Sequence, residues 1–506
     1  SYKLDAIGEA ELGQNKVEFG NMNLATLSDD DWQTFVEYNV QDVNLLVKME
    51  DKLRYLELLR MLAYTGLTNI ESAMGTLGVI TGATIIKARS KGLVVPTFIK
   101  DHSNAAKYEG AYVGEPQRGF QHDVVSFDAN SLYPNTMISL NLSPETKVGK
   151  ITHKDEEHVH ITHVSGKSFT LTHSKFLEFI KKDNIAVTRA KVLFSQNKKG
   201  IIPEIVDGIY QQRVEIKKEL QKLRVKLSKM SETDEKYAAI KKKADQYDIK
   251  QFTLKILINT VYGYFGNKHA PIGDPDIARS ITLTGQAVIK KSNDILREYI
   301  DNNGVTGLDP IIYNDTDSSY ISINRLMKKV DKPFHTNFKI SEQAYEQADK
   351  IEAHLNKEIT KWSGVSLNSK DSRFVFKREC MSDVGIFLQK KRYVMRVLDD
   401  EGIPVKKFKY TGVEVVRSTM PAPIKPYVKQ IVETMMGTEN RSTTNDVFLE
   451  AYDIFKKLPV EDYSFAMGIS DYEKYSTRCN GFVTCKGMPA HVKAAYHYNM
   501  LLEKLD

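Results

Sequence analysis

From Gly200 to Gly263 the sequence carries two long helical periods in close succession, and whatever the chain folds into has to pack them against each other. Ile205, Ile209, Ile216, Leu220, Leu223 and Leu227 keep one apolar stripe, with Pro203 suited to the first turn. After a break at Ser228–Thr233, a second stripe runs through Tyr237, Ile240, Tyr247, Phe252 and Leu257, and Ser231 and Asp234 have the spacing of a capping box. Two such helices on a short connection predict an antiparallel hairpin. The same stretch holds the positive excess of a chain whose net charge is only +6: Lys191–Tyr262 contains 16 Lys and Arg against 9 Asp and Glu. A solvated lysine-rich face explains that balance, and so does contact with a polyanion.

Strand signals lie on either side. Asp123-Val-Val-Ser-Phe-Asp128 reads as a buried strand that ends in a carboxylate. Pro310–Tyr313 and Tyr320–Ile323 flank Asn314-Asp-Thr-Asp317 like a β-hairpin with an acidic tip. Five of the 12 histidines fall between His153 and His173, where alternation and Ser165-Gly166 predict another hairpin. His158 and His160 share a strand face there, which is open to metal binding, although the surrounding Ser, Thr, Lys and acidic residues favour plain exposure. Residues 1 to about 60 alternate short apolar pieces with acidic turns, then turn helical from Trp32 through Phe35, Tyr38, Val43, Leu46 and Met49, as at the end of an α/β domain.

A length of 506 residues with 41% hydrophobic and 27% charged calls for several packed domains and excludes both a disordered chain and a small binding module. No run approaches the ~18 apolar residues of a membrane span, so a soluble protein is expected. The stretch from Gly75 to Ile86 is short and interrupted. Cys380, Cys479 and Cys485 are too few for a disulfide framework or a four-thiolate zinc site, which fits a reducing compartment. No export signal follows Ser1, and a first residue other than Met suggests a start inside a longer chain.

Joining a nucleoside triphosphate to a nucleic-acid end needs hard cations at the attacking and leaving oxygens, and such cations want carboxylates. Asp128 and Asp317 are suitable donors if their strands lie side by side. It also needs positive charge for the triphosphate. Arg213 and Lys217 share one helical face, and Lys255 and Asn259 share another. By spacing alone these four are equally the polar side chains of a solvated hairpin.

Four segments occur in order: Asp128-Ala-Asn-Ser-Leu-Tyr-Pro134, Lys255-Ile-Leu-Ile-Asn-Thr-Val-Tyr-Gly263, Asp315-Thr-Asp-Ser318 and Lys390-Lys-Arg-Tyr393. Together they resemble the A, B, C and KKRY motifs of family B DNA polymerases. Ser143-Pro-Glu-Thr146, Gly412-Val-Glu414 and Lys486-Gly-Met-Pro-Ala-His-Val492 resemble the replicative polymerases of T-even-type bacteriophages in particular. The resemblance implies a multidomain α/β protein with a right-hand architecture: a palm with a mixed sheet, helical-hairpin fingers, a helical thumb and a remnant of an RNase H-like exonuclease domain. It places the exonuclease end at 1–60, a helical linker at 61–99, the palm at 100–199 and 268–414, fingers at 200–267 and an incomplete thumb at 415–506.

Carried over residue by residue, Asp128 and Asp317 would bind two Mg²⁺ ions, with Mn²⁺ as an alternative. Asp315 would support them and Glu379 would be an accessory acid at the metal site. Leu132 and Tyr133 would form the sugar gate. Arg213, Lys217, Lys255 and Asn259 would hold the triphosphate, and Tyr262 and Gly263 would meet the nascent base pair. Lys390, Lys391, Arg392 and Tyr393 would track the primer–template DNA. Tyr38-Asn-Val-Gln-Asp42 resembles the third exonuclease motif, with Asp42 a metal ligand and Tyr38 supporting the water. The two earlier exonuclease motifs have no room before it, so proofreading is not expected from this chain alone.

Local departures from the family pattern are Asn135, where Ser is usual, Thr260, again for Ser, and Tyr264-Phe265 after Gly263. Both ends look cut, which suggests a split polymerase completed by a chain carrying the amino-terminal and exonuclease domains, or an excerpt. A sliding clamp would then bind through a missing carboxy-terminal tail. The expected substrates are deoxynucleoside triphosphates and the expected location is the cytoplasm, that of the host if the chain is phage-encoded. A two-metal nuclease would use the same aspartates but not the basic cluster, and a non-catalytic DNA-binding subunit would not need Asp128 and Asp317.

Overall fold

The computed structural model describes residues 3–18, 26–96, 109–227, 229–303, 307–417, 420–438, 440–459, 462, 464, 489–494 and 498. Cys479, Cys485 and the first half of the Lys486–Val492 motif lie outside them. The chain divides into two compact units: Ser1–Tyr112 with Ala129–Ser292 and His354–Phe376, and Val113–Asp128 with Asn293–Ala353 and Lys377–Asp506.

In the second unit a six-stranded sheet runs in the order Ile403–Thr411, Arg392–Asp400, Phe376–Gln389, Gly119–Ala129, Ser318–Ser322, Ile311–Asp315. Sequential partners are joined by two-residue turns at Thr316-Asp317, Lys390-Lys391 and Glu401-Gly402. Such turns join only antiparallel neighbours. The pairing of Gly119–Ala129 with Ser318–Ser322, strands distant in the chain, is antiparallel as well, where a mixed sheet was expected. Under it Tyr313, Tyr320, Phe387 and Tyr393 interlock with ring centroids 5.3 to 6.1 Å apart, and the hydroxyls of Tyr320 and Tyr393 satisfy each other at 2.9 Å. Aromatic pairs of this kind add about 0.5–1.5 kcal/mol each beyond the area they bury.

The first unit holds the helical hairpin where the apolar stripes predicted it, as helices Ile201–Leu227 and Tyr237–Phe265. Ile209, Leu220, Leu254, Leu257 and Val261 are buried. The capping box at Ser231 and Asp234 does not form. Asp234 accepts instead from the Lys236 backbone N–H at 2.9 Å, and the helix starts at Tyr237 without a side-chain cap. The unit also holds a five-stranded antiparallel sheet, in which Lys147–Lys154, His158–His163 and Ser168–Thr172 are consecutive neighbours.

Among the described residues before 97 the regular elements are all helices, with no strand, where the end of an α/β domain was expected. Helix Trp32–Leu53 is present, but its buried residue is Leu45, while Val43 and Leu46 are exposed. Among the described residues no helix is long and apolar enough to cross a membrane.

Candidate active site

Asp128 lies next to last on the strand Gly119–Ala129, whose β-branched and aromatic residues suit a strand buried on both faces. Its register partner on the neighbouring strand is Ser318, and the Ser318 hydroxyl donates to Asp128 Oδ1 at 2.8 Å. Asp317 immediately precedes Ser318 in the turn. Two carboxylates on adjacent strands are thus one residue out of register, both half-buried.

The turn that carries Asp317 is strained. Asp317 N–H bonds back to the Asp315 carbonyl at 2.7 Å while Thr316 holds φ at +62°. A β-branched residue rarely takes that conformation, and the surroundings must over-determine it. Asn314 does part of this. Its amide exchanges two hydrogen bonds with the Asn293 amide, at 2.8 and 3.0 Å, and donates to Ser319 Oγ at 2.9 Å, all in a buried setting. A fully satisfied buried polar network fixes geometry.

The Asp315 carboxylate, two residues before Asp317, is ion-paired with Lys391. Glu379 is also engaged. Its two oxygens accept from Lys409 Nζ and from Ser126 Oγ, each at 3.0 Å. Burial alone would push the Lys409 ammonium towards neutrality, but the acidic groups of Cys380 and Glu379 outweigh it and hold its pKa above the ordinary lysine value. Glu379, expected as an accessory acid at the metal site, is thus held by an ion pair and a hydrogen bond. Among the described residues no three acidic, His or Cys side chains group as a metal site. Asp128 and Asp317 fit Mg²⁺ nonetheless, since that ion is commonly bound by one or two carboxylates with water and substrate phosphate completing the shell.

The Lys390-Lys391 turn forms a basic hairpin tip with Arg392. Lys390 pairs with Glu115 at 2.9 Å and Arg392 with Glu414 at 3.1 Å. The Lys391 backbone N–H donates to the Tyr313 hydroxyl at 2.8 Å. Burial, reinforced by nearby acidic groups, pushes the Tyr313 pKa up to about 12, so the hydroxyl stays protonated. Tyr393 is a correction. Its side chain is 3% exposed, in the aromatic cluster below the sheet, and is not placed to track DNA. Strand alternation explains this, since consecutive residues point to opposite faces.

In the first unit, helix Leu132–Ser139 starts at a Ser131 held at φ +47°. It buries Leu132 and leaves Tyr133 half-exposed. The Tyr133 ring lies 4.7 Å from that of Tyr262, centroid to centroid. Gly285 also lies against the tyrosine. A Cβ there would meet Tyr133 Cε1 at 3.0 Å and Leu132 Cδ2 at 3.4 Å. Sequence reasoning missed Gly285, because nothing in a helical Gly signals which ring it touches. Asn135 is buried, and its amide donates to the Asn130 carbonyl at 2.6 Å, a reach that Ser does not have. Thr260 bonds back to the Ile256 carbonyl at 2.8 Å, and Tyr264 and Phe265 belong to the core.

Arg213 is half-buried on the first hairpin helix and Lys217 exposed one turn on, while Lys255, Asn259 and Gly263 are exposed on the second. The Ser143-Pro-Glu-Thr146 motif caps the first of these helices. Asn141 Oδ1, Glu145 Oε1 and Ser143 Oγ accept from the N–H groups of Gly200, Ile201 and Ile202 at 2.8, 2.5 and 3.3 Å. These donors have no partner within the helix, and Glu145 adds a favourable charge at its positive end.

Asp42, expected as an exonuclease metal ligand, is paired with Lys16 at 2.8 Å, and Lys16 also donates to the Tyr38 hydroxyl and covers its ring at 4.3 Å. The Lys16 ammonium thus contacts both residues of the Tyr38–Asp42 segment that resembles the exonuclease motif. The histidine-rich strands hold no metal group either. His160 bonds Thr170 Oγ1 at 2.9 Å, and Asp155 caps its own turn by accepting from the backbone N–H groups of His158 and Glu157, which hold its pKa down at about 2.

The model of DNA polymerase family B matches residues 75–484, and the chain belongs to that family. It is similar to the DNA-directed DNA polymerase of Escherichia phage RB69, with 24% identity over 99% of this chain and 59% of the relative. It is also similar to that of Enterobacteria phage T4, with 22% identity over 100% and 59%. The DNA polymerase delta catalytic subunit of Drosophila melanogaster is 28% identical over 64% of this chain and 27% of its own length. The chain therefore spans about three fifths of the length of the phage relatives.

Proposed function

We propose that this chain carries out template-directed DNA synthesis, adding deoxynucleotides to a primer 3′-hydroxyl. The observation that carries the reading is the register of Asp128 with Ser318, which sets Asp128 beside Asp317 in a strained, over-determined turn. Asp128 and Asp317 would hold two Mg²⁺ ions, or Mn²⁺, which when bound supply charge neutralisation and a more acidic 3′-hydroxyl.

In the reaction a bond forms between the primer 3′-oxygen and the α-phosphorus, the bond to the bridging α–β oxygen breaks, and pyrophosphate leaves. Arg213, Lys217 and Lys255, with Asn259, orient the triphosphate and balance its charge. Tyr133, backed by Leu132 and by the Gly285 backbone, occupies the volume a 2′-hydroxyl would need. Tyr262 and Gly263 face the nascent base pair. Lys390, Lys391 and Arg392 hold the duplex backbone, which positions it without reading sequence.

In this reading 200–267 are the fingers, 100–199 and 268–414 the palm, 415–506 part of the thumb, 61–99 a linker and 1–60 an exonuclease end. The reading does not include proofreading by the chain alone. A complementary polypeptide with the amino-terminal and exonuclease domains, a sliding clamp and the host cytoplasm complete the proposal.

The test is primer extension with each deoxynucleotide supplied singly beside Mg²⁺. Incorporation of only the nucleotide complementary to the template base supports the reading. Duplex binding without incorporation would leave a DNA-binding subunit, and shortening of the primer a nuclease.

A further inference from the structure

The helical hairpin carries more positive charge than a triphosphate explains, and much of it sits away from Arg213 and Lys255. Lys222, Arg224, Lys226, Lys229, Lys236, Lys241, Lys242 and Lys243 are all exposed in the distal half of the two helices and their connection. Ion pairs are described for two of them, Lys222 with Glu219 at 2.6 Å and Arg224 with Asp248 at 2.9 Å. Asp234 is occupied in accepting a backbone N–H. Among the described residues the other six make no ion pair within 4.0 Å, although Lys243 is near enough to Glu219 to help lower its pKa.

Lys226 lies one turn beyond Lys222 on the first helix, and Lys241, Lys242 and Lys243 follow one another near the start of the second. Tyr247 adds an aromatic face to the patch, with Lys243 and Lys250 ammonium groups 5.8 and 6.0 Å from its ring centroid. At 1.5 Å rise per residue, Lys241 is about 21 Å along the helix from Lys255, too far to share one nucleotide's phosphates. Glu232, Glu235 and Asp245 are exposed in the same region, so residues 222–248 hold eight Lys and Arg against five Asp and Glu, and the remaining excess of +3 costs self-repulsion, which a polyanion relieves. Basic side chains interleaved with an aromatic ring suit a single strand, whose phosphates they neutralise and whose bases stack.

We infer that the distal end of the hairpin is a second, sequence-independent contact for single-stranded DNA, namely the template strand not yet copied. This rests on the proposed polymerase function, which supplies such a strand.

The test compares the full chain with a Lys226→Gln/Lys229→Gln/Lys241→Gln/Lys242→Gln variant, on primer–templates that share one duplex but carry a 5′ template overhang of either one or about 20 nucleotides, the longer exceeding one ~4–16-nucleotide site. Binding is measured by fluorescence anisotropy across a salt series. The wild type should bind the long overhang more tightly, and the variant should lose that gain. The long-overhang slope of log affinity against log salt should become shallower by roughly 0.7 for each phosphate contact removed. First-nucleotide incorporation on the short overhang should be unchanged. No overhang-dependent gain in the wild type, or an undiminished gain in the variant, overturns the inference. Absence of incorporation by the wild type would count against the polymerase reading, while the overhang comparison would still decide this one.

Discussion

Lys391 and Asp315 form an ion pair that ties the tip of the basic hairpin to the acidic turn. The lysine is well exposed, so the pair itself contributes at most about 1 kcal/mol. Its significance is positional, because the Lys391 backbone is fixed independently by Tyr313. Lys391→Ala should therefore weaken primer–template binding and reduce the salt slope by about 1 with little change in melting temperature. Anisotropy titrations at several salt concentrations check this, and an unaltered slope would remove Lys391 from the duplex contact.

Gly412 packs against the backbone of the same lysine. A Cβ at this position would sit 1.9 Å from the Lys391 carbonyl oxygen, and the glycine has φ +59°. Gly412→Ala should cost about 2 kcal/mol or more, because neither backbone can yield cheaply, and duplex affinity should fall with it. Urea unfolding measures the first effect. A variant as stable as the wild type would show that the contact relaxes freely.

Tyr133 is in contact with both Tyr262 and Gly285. Tyr133→Ala should raise ribonucleotide incorporation relative to deoxynucleotide incorporation. Gly285→Ala presses on the ring at 3.0 Å without removing it, so it should change the same ratio by a smaller factor while overall stability falls little. Competition assays with paired nucleotides read both. Unchanged discrimination in Tyr133→Ala would make the ring an ordinary core residue.

Asp123 gives a pH dependence of defined sign. Burial raises its pKa most, against the Asn324 amide and the charges of His122 and His335, which lower it, while Asp383 adds to the rise. A carboxyl that prefers its proton in the folded state contributes stability fully present below its unfolded pKa of about 3.9, and loses it as pH climbs through the folded value. Asp123→Asn keeps an acceptor for Asn324 and carries no charge. Its stability relative to wild type should improve between about pH 4 and pH 7, as measured by urea midpoints. A constant or reversed difference contradicts this.

Much of the site was readable because its signals are local. Apolar runs ending in Asp128 and flanking Asp315-Thr-Asp317 are strands by composition, and the stripes of the hairpin are helices by period. What escaped depends on partners distant in the chain. Nothing near Glu379 announces Lys409, nor does Asp42 announce Lys16, and in both cases an ammonium from a distant part of the chain pairs with the carboxylate. Tyr393 was misread because motif membership outweighed strand alternation, which already turned it inward after Arg392. Glu145 and Gly285 act through three-dimensional neighbours, a helix end and a ring, that no spacing reveals.

The most direct measurement is single-turnover primer extension by the full chain and by Asp317→Asn, with Mg²⁺, deoxynucleotides and duplex binding measured in parallel. The account predicts extension by the wild type and its loss in the variant, with primer–template affinity changed less than about threefold, or roughly 0.7 kcal/mol. Extension by Asp317→Asn at the wild-type rate would contradict the assignment of Asp128 and Asp317 as the catalytic pair.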